Sequence, residues 1–233
     1  GELITDLKRT VTKTTGGLII LPKDHKIIKR KSQPQQNWYR IGKSACDQCS
    51  YCTELCPRYM LGYNIQPHKV MRSLVFTKSG EDLWNEYALL CCACGLCTMY
   101  SCPEDLFPKE TCDKAKAALR VKNIMPVKNF DVKAHGMYEH RRTPLKRLMK
   151  KLDLLRFDSK NPLIEPELKP DSVVIPLRQG VGNPAVPCVQ VGSKVSKGDL
   201  IAKSPENKLG ANQHSSINGT VKDVNEAYII INA

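Results

Sequence analysis

The chain is poor in aromatic residues. Phe, Trp and Tyr make up 6% of its 233 residues, which argues for small modules rather than one large aromatic core. No apolar run approaches the roughly 18 residues of a membrane-spanning helix. The longest, Leu18–Leu21 and Tyr228–Ile231, are strand-sized. No secretory leader is visible, and the first residue is Gly1 rather than Met, so the chain reads as processed or excised. No phosphate-binding Gly-x4-Gly-Lys-Ser/Thr loop is present. Gly180-x-Gly182-x-x-Ala185 follows an apolar run, but Pro184 and Pro187 stand where a helix should begin. A phosphate there would meet no helix N-terminus. The five histidines, His25, His68, His135, His140 and His214, show no metal-ligand spacing and read as surface or core residues. Aromatics do not interleave with basic residues, so nucleic acid is not an expected partner.

Acidic residues are also few. Asp and Glu number 23 against 36 Lys and Arg, a formal charge of +13. A basic surface follows, suited to acidic proteins, phosphates or anionic surfaces. Hydrophobic residues at 41% and charged residues at 25% exclude a wholly disordered chain.

What is abundant is cysteine. Ten of the eleven lie between Cys46 and Cys112, and Cys188 stands apart. An odd total in one tight cluster argues against a secreted disulfide framework and for metal ligation in a reducing compartment. The first run is Cys46-x2-Cys49-x2-Cys52-x3-Cys56-Pro57. That spacing is the bacterial-ferredoxin pattern for a [4Fe–4S] cubane. Three thiolates come from one tight loop, and the fourth must arrive from elsewhere. The second run is Cys91-Cys92-Ala93-Cys94-Gly95-Leu96-Cys97-x4-Cys102-Pro103, one residue longer in its last step.

In two-cluster ferredoxins the fourth cysteine of each run serves the other cluster. The expected sets are therefore Cys46, Cys49, Cys52 and Cys102 for one cluster, and Cys91, Cys94, Cys97 and Cys56 for the other. Cys112 could replace Cys102, although it reads first as a buried thiol. Cys92 could replace Cys91, although it reads first as a small buried residue. Cys188 reads as structural. Zinc sites use Cys-x2-Cys pairs around one ion, and the evenly spaced triples do not need that arrangement. A thioredoxin-type Cys-x-x-Cys lacks its βαβ surroundings. Two such clusters with their thiolates would lower the net charge to about +9. Lys43, Lys69 and Arg58 lie near ligands in sequence. They read first as solvated charges, and would raise a cluster's potential if they faced it.

Four segments are expected. Residues 1–43 form a β-rich lead-in, with strands over Thr10–Thr15 and Leu18–Leu21 about a Gly16-Gly17 turn and an exposed polar loop at 29–37. Residues 44–122 hold the cysteines, with helices over Pro67–Phe76, Glu81–Leu90 and 113–122 and a break at Ser79-Gly80. Residues 123–170 hold a basic amphipathic helix capped by Thr143, with Pro144 at its first position, and then a Pro-rich linker. The helix reads as a solvated basic face over an apolar stripe, or as a dock for an acidic partner. Residues 171–233 form an all-β module, with strands over Val173–Leu177, Ala185–Val191, Leu200–Ala202, Gly219–Val224 and Tyr228–Ile231.

These features together resemble the Rnf-complex C-subunit family. The resemblance is carried by the lead-in Val11-Thr-Lys-Thr-Thr-Gly-Gly-Leu-Ile-Ile-Leu-Pro and by the second run with its Cys-Pro-Glu-Asp-Leu-x-Pro ending. In the tail it is carried by Gly182-Asn-Pro-Ala-Val-Pro, Val191-Gly-Ser-Lys-Val-Ser-Lys-Gly-Asp-Leu-Ile-Ala and Ser216-Ile-Asn-Gly-Thr-Val. Within the family the chain is most similar to the PduS-type cobalamin reductases of propanediol-utilisation microcompartments. The resemblance implies a multidomain α+β protein: a helical dicluster ferredoxin-like [4Fe–4S] domain, then an all-β barrel-sandwich module akin to lipoyl and biotinyl carriers. No carrier lysine is evident. An N-terminal domain binding FMN and NADH, then a β-grasp domain ending in residues 1–43, would precede this chain.

The expected role is electron transfer through two [4Fe–4S] clusters in an NADH- and flavin-dependent cobalamin reductase. The partners would be that flavin domain and either a microcompartment shell protein or a corrinoid enzyme. The expected location is cytoplasmic, in a bacterial microcompartment. The alternatives are the electron-input subunit of a membrane Rnf-type complex, or an assembly adaptor held together by its clusters.

Overall fold

The computed structural model describes residues 2–75, 84–127, 131–160, 162–164 and 168–233. The chain forms two compact units, Pro22–Lys160, and Gly1–Leu21 together with Asn161–Ala233. Residues 1–43 therefore divide at Leu21, and residues 123–170 at Lys160.

The Pro22–Lys160 unit is helical. Lys26–Lys31 and Gln35–Ala45 are helices where a polar loop is expected at 29–37. His25 starts the first helix, its ring accepting from the Ile27 N–H at 3.2 Å, and Pro34 sets the entry of the second. Packing overrides the polar composition. Arg30 reaches inward to the carbonyls of Thr98 and Leu106 at 2.7 and 2.8 Å and to Asp105 at 3.0 Å. Trp38 stacks on Phe107, with ring centroids 5.3 Å apart.

Single helical turns at Tyr51–Glu54 and Pro57–Met60 follow the first cysteine run. The helix Pro67–Ser73 is shorter than expected, and Glu86–Ala88 is a 3-10 turn. The expected Ser79-Gly80 break lies outside the described residues. Pro108–Val121 is a longer helix than expected, begun by Pro108 at its first position. It packs on Pro67–Ser73 through Val70, Cys112 and Ala115. The basic helix Leu145–Lys151 has Pro144 as its N-cap and no side-chain cap from Thr143. None of its residues is buried, so its apolar stripe is only partly covered. The segment before it lies against the first run: His135 N–H donates to Met60 at 2.8 Å, and Arg141 pairs with Glu54 at 3.3 Å. Gly62 (φ 94°) permits this approach, because a Cβ there would meet the Lys133 carbonyl oxygen.

The other unit is a sandwich of two antiparallel sheets. One has the order β1-β7-β6-β3 and the other β2-β4-β5. The strands are β1 (Ser172–Pro176), β2 (Val186–Pro187), β3 (Lys194–Val195), β4 (Leu200–Lys203), β5 (Gln213–His214), β6 (Gly219–Val224) and β7 (Tyr228–Asn232). Alternation in β7 buries Ile229 and Ile231 against Ile175, Leu177, Val195, Ile201 and Val221. The expected strand 185–191 contracts to two residues around Pro187, which has no N–H for a ladder. The short β3 and β5 escape period-2 reading. Residues 2–21 contain no strand, and Leu18, Ile19 and Ile20 are exposed. β-favouring residues alone do not make a strand without a partner edge. Lys13 meets this module, its N–H donating to Gln179 Oε1 at 2.8 Å.

Candidate iron–sulfur centres

The two cysteine runs fold alike. In the first, Gln48 (φ 62°) and Ser50 (φ 64°) are left-handed; in the second, Ala93 (φ 56°) and Gly95 (φ 80°) are. Each pair occupies the second and fourth places after the leading cysteine, Cys46 or Cys91. This register makes Cys91, not Cys92, the counterpart of Cys46. Left-handed residues within such loops turn N–H groups toward one side and form an anion-binding concavity. Gln48 Nε2 donates to Cys46 Sγ at 3.1 Å, and the Ala93 N–H to Cys91 Sγ at 3.4 Å.

After the third cysteine the loops stay parallel. Thr53 and Glu54 N–H groups donate to Ser50, as Thr98 and Met99 N–H groups donate to Gly95. The x4 step of the second run is absorbed by a π turn, Cys97–Ser101, in which the Cys102 N–H donates to the Cys97 carbonyl at 3.1 Å. Such one-turn insertions are common at functional sites. Both fourth cysteines then emerge with the same extended backbone: φ −72°, ψ 120° at Cys56, and φ −73°, ψ 120° at Cys102. Lys151 closes the π turn by donating to the carbonyls of Tyr100 and Cys102 at 2.7 and 3.2 Å.

A second correspondence was not read from the sequence. The residue after each third cysteine is threonine, and its hydroxyl accepts from the N–H of a helix that begins with proline. Thr53 Oγ1 accepts from the His68 N–H at 3.1 Å, and Thr98 Oγ1 from the Lys109 N–H at 2.9 Å. Each threonine also bonds a side chain, His68 Nδ1 at 2.7 Å and Glu110 Oε2 at 2.7 Å. The repeated Cys-Thr dipeptide and the two Pro-led helices were the available signal.

The fourth cysteine of each run crosses to the other three. Cys46, Cys49, Cys52 and Cys102 line one cavity, together with His68, Met71 and Leu106. Burial pushes the Cys52 thiol up to about 12, and Cys102, Cys46 and Cys49 push it the same way. Cys56 is raised by burial first, and feels Cys94 and Cys91. Cys97 is raised by burial, then by Cys52, Cys91, Cys56 and Cys94. Cys52 and Cys97 thus join the two groups, and both are buried. All eleven cysteines are free thiols.

Burial and mutual repulsion keep Cys52, Cys56, Cys97 and Cys102 as neutral thiols unless a cation joins them. Bonds to metal deprotonate thiols outright, so the donor set fits polynuclear iron centres. Among the described residues no three or more Cys, His, Asp or Glu side chains are grouped as around a single ion.

The remaining cysteines fall into place. Cys112 is fully buried, as read from the sequence, but it lies against Cys91 rather than Cys102. The Cys112 thiol beside it, with lesser help from the Ala93 N–H and Lys116, holds Cys91 down at about 6 against the opposing effect of burial. Cys92 is exposed rather than buried. Cys188 is exposed too, its thiol donating to the Leu200 carbonyl at 3.3 Å. Lys43 is solvated, and Lys69 donates to the Tyr87 hydroxyl at 3.1 Å. Arg58 lines an open cleft beside Cys91.

Comparison with known proteins follows the same division. Residues 45–107 match the 4Fe-4S dicluster domain, and residues 152–233 the RnfC barrel sandwich hybrid domain. Over 234 aligned residues, 99% of the chain, it is 36% identical to cobalamin reductase PduS of Salmonella typhimurium. The chain is RnfC-like and PduS-like. Cobalamin reductase PduS of Citrobacter freundii is also 36% identical over the same extent. The chain spans about half the length of these relatives, 51% in each case. The C subunit of the proton-translocating ferredoxin:NAD(+) oxidoreductase complex of Clostridium ljungdahlii is 47% identical over 57 residues, 24% of the chain and 12% of that protein. In this RnfC-like chain no helix among the described residues is long and apolar enough to cross a membrane.

Proposed function

We propose that this RnfC-like chain is the electron-transfer portion of a flavin- and NADH-dependent reductase that serves a corrinoid. Cys46, Cys49, Cys52 and Cys102 would hold one [4Fe–4S] cluster, and Cys91, Cys94, Cys97 and Cys56 the other. The observation that carries this reading is the crossing of the fourth cysteines between two loops of matching backbone. When bound, the clusters supply one-electron redox chemistry.

The chain's own residues do the rest. The Leu106 N–H donates to Cys102 Sγ at 3.3 Å, and the backbone of Glu104 beside Cys102 and of Tyr59 and Arg58 beside Cys56 favours their thiolates against burial. Such bonds favour the more negatively charged, reduced state. Buried Met71 and Leu106 exclude water around the first site. The juxtaposed Cys52 and Cys97 keep the two sites close.

The flavin and NADH would sit in a preceding domain, as the resemblance implies. A corrinoid enzyme or a microcompartment shell protein would take the electrons, and the site of action would be a cytoplasmic microcompartment. The C subunit of a membrane Rnf-type complex is the second reading, favoured by the 47% identity across 57 residues. The test is a potentiometric titration of the anaerobic protein followed by electron paramagnetic resonance. Two reducible clusters, reoxidised by added cob(III)alamin or cob(II)alamin, are expected. Reducible clusters inert to corrinoid but exchanging electrons with ferredoxin would move the assignment to the Rnf reading. Clusters that no biological reductant reduces would leave a structural role.

A further inference from the structure

Lys116 and Lys151 reach from outside the two cysteine runs onto the backbone of their ligands. Lys116, on the Pro108–Val121 helix, donates its Nζ to the Cys91 carbonyl at 2.8 Å. Lys151, the last residue of the Leu145–Lys151 helix, donates to the carbonyls of Tyr100 and Cys102 at 2.7 and 3.2 Å. Both residues are half-buried. Holding a long side chain in one place costs rotamer freedom, so these are not lysines left loose in solvent. Lys43, by contrast, is exposed, and Lys69 is turned to the Tyr87 hydroxyl.

Among the described residues neither ammonium lies in an ion pair. Asp113 shares an open cleft with Lys116, but its carboxylate is held by Lys109 at 2.6 Å. Arg30 also donates to a loop carbonyl, that of Thr98 at 2.7 Å, yet Asp105 meets its charge at 3.0 Å. Lys116 and Lys151 therefore bring positive charge to the loops without a carboxylate beside it. They are divided between the sites, since Cys91 belongs to one crossed set of ligands and Cys102 to the other.

We propose that Lys116 and Lys151 are positioning residues, one for each cluster, whose charges set the two reduction potentials independently. The inference rests on the two-cluster reading. Reduction makes a cluster more negative, and a cation fixed beside it favours that state. Each lysine acts through the backbone of a ligand, so its charge is held at the loop while the sulfur stays free for metal. Satisfying the carbonyls of the π turn would need only a donor. Glutamine keeps an N–H donor and loses the charge, which separates the two roles.

The test is a potentiometric titration of the whole chain, anaerobic and with its clusters, followed by electron paramagnetic resonance. Lys151→Gln should leave one cluster about ten-fold less reduced at a fixed potential, a shift of about 59 mV for one electron. Lys116→Gln should shift the other cluster by a similar factor, and the double variant should shift both. Lys116→Arg and Lys151→Arg keep the charge and should stay within about two-fold of wild type. Arg147→Gln removes a charge from an exposed position on the Leu145–Lys151 helix and should also stay within about two-fold. Movement of the same cluster by both Gln variants, movement of neither, or an Arg variant shifted ten-fold overturns the tuning role alone, provided iron and sulfide are intact. Absence of iron and sulfide from the wild-type chain overturns the two-cluster reading and the tuning role with it.

Discussion

Cys91 and Cys112 show how one buried thiol sets the chemistry of a neighbouring candidate ligand. A neutral thiol beside it favours the Cys91 thiolate, so Cys91 is held down at about 6 while Cys112 is held well above the ordinary thiol range. The thiolate is the reactive form. In the apoprotein, site-resolved alkylation of Cys91 should therefore rise through about pH 6 and level off above it. Cys112→Ala removes the neighbouring thiol and should move that midpoint upward. An unchanged profile in the variant would remove Cys112 from this role. With the cluster bound, the same substitution should shift the second cluster's reduction potential to more negative values, because the thiol favours the reduced state.

At this scale most of the site was legible. Iron ligands must sit at fixed spacings within a tight loop, so Cys46, Cys49, Cys52, Cys91, Cys94 and Cys97 announce themselves in one dimension. His68, Thr53 and Cys112 do not, because their roles come from helices that fold back onto the loops. Cys56→Ser tests the crossing. It should cost the cluster held by Cys91, Cys94 and Cys97 and spare the other, as read by iron content and paramagnetic resonance. Loss of the other cluster alone would refute the crossed assignment.

Among the elements, the π turn at Cys97–Ser101 matters most. It lets a run with one residue more deliver its fourth cysteine with the backbone angles of its shorter counterpart. The sequence showed the extra residue but not the device, since a π turn has no compositional mark. Thr98 joins this turn to the Pro108–Val121 helix through Lys109 and Glu110. Thr98→Val keeps the shape and leaves a buried N–H without its acceptor, so it should cost about 1–3 kcal/mol, measurable by anaerobic denaturant unfolding. A cost near zero would make the helix junction independent of that hydroxyl.

The helices at 26–45 were hidden because their stabilising contacts, Arg30 with Asp105 and Trp38 with Phe107, span some seventy residues of sequence. In the β unit, by contrast, β6 and β7 lay open to period-2 reading because one face of each is buried. Ile231→Ala would leave a cavity in that core and should cost about 2–5 kcal/mol. A melt of the β unit unchanged by this substitution would contradict the packing described.

The whole molecule divides by chemistry as well as by packing. One unit assembles thiols and basic residues, and the other is a small β sandwich with no comparable constellation among the described residues. The structure divides the chain after Leu21 and Lys160, whereas the sequence reading drew its segments after residues 43, 122 and 170. Residues 1–21 belong with the β unit through contacts such as Lys13 with Gln179, a pairing across 166 residues. No local pattern could reveal that.

The central claim is that two cubanes share eight crossed cysteines, and counting their atoms tests it most directly. Iron and acid-labile sulfide should be determined on the chain purified without oxygen. About eight of each per polypeptide is the predicted result. About four of each, or zinc without sulfide, would contradict it.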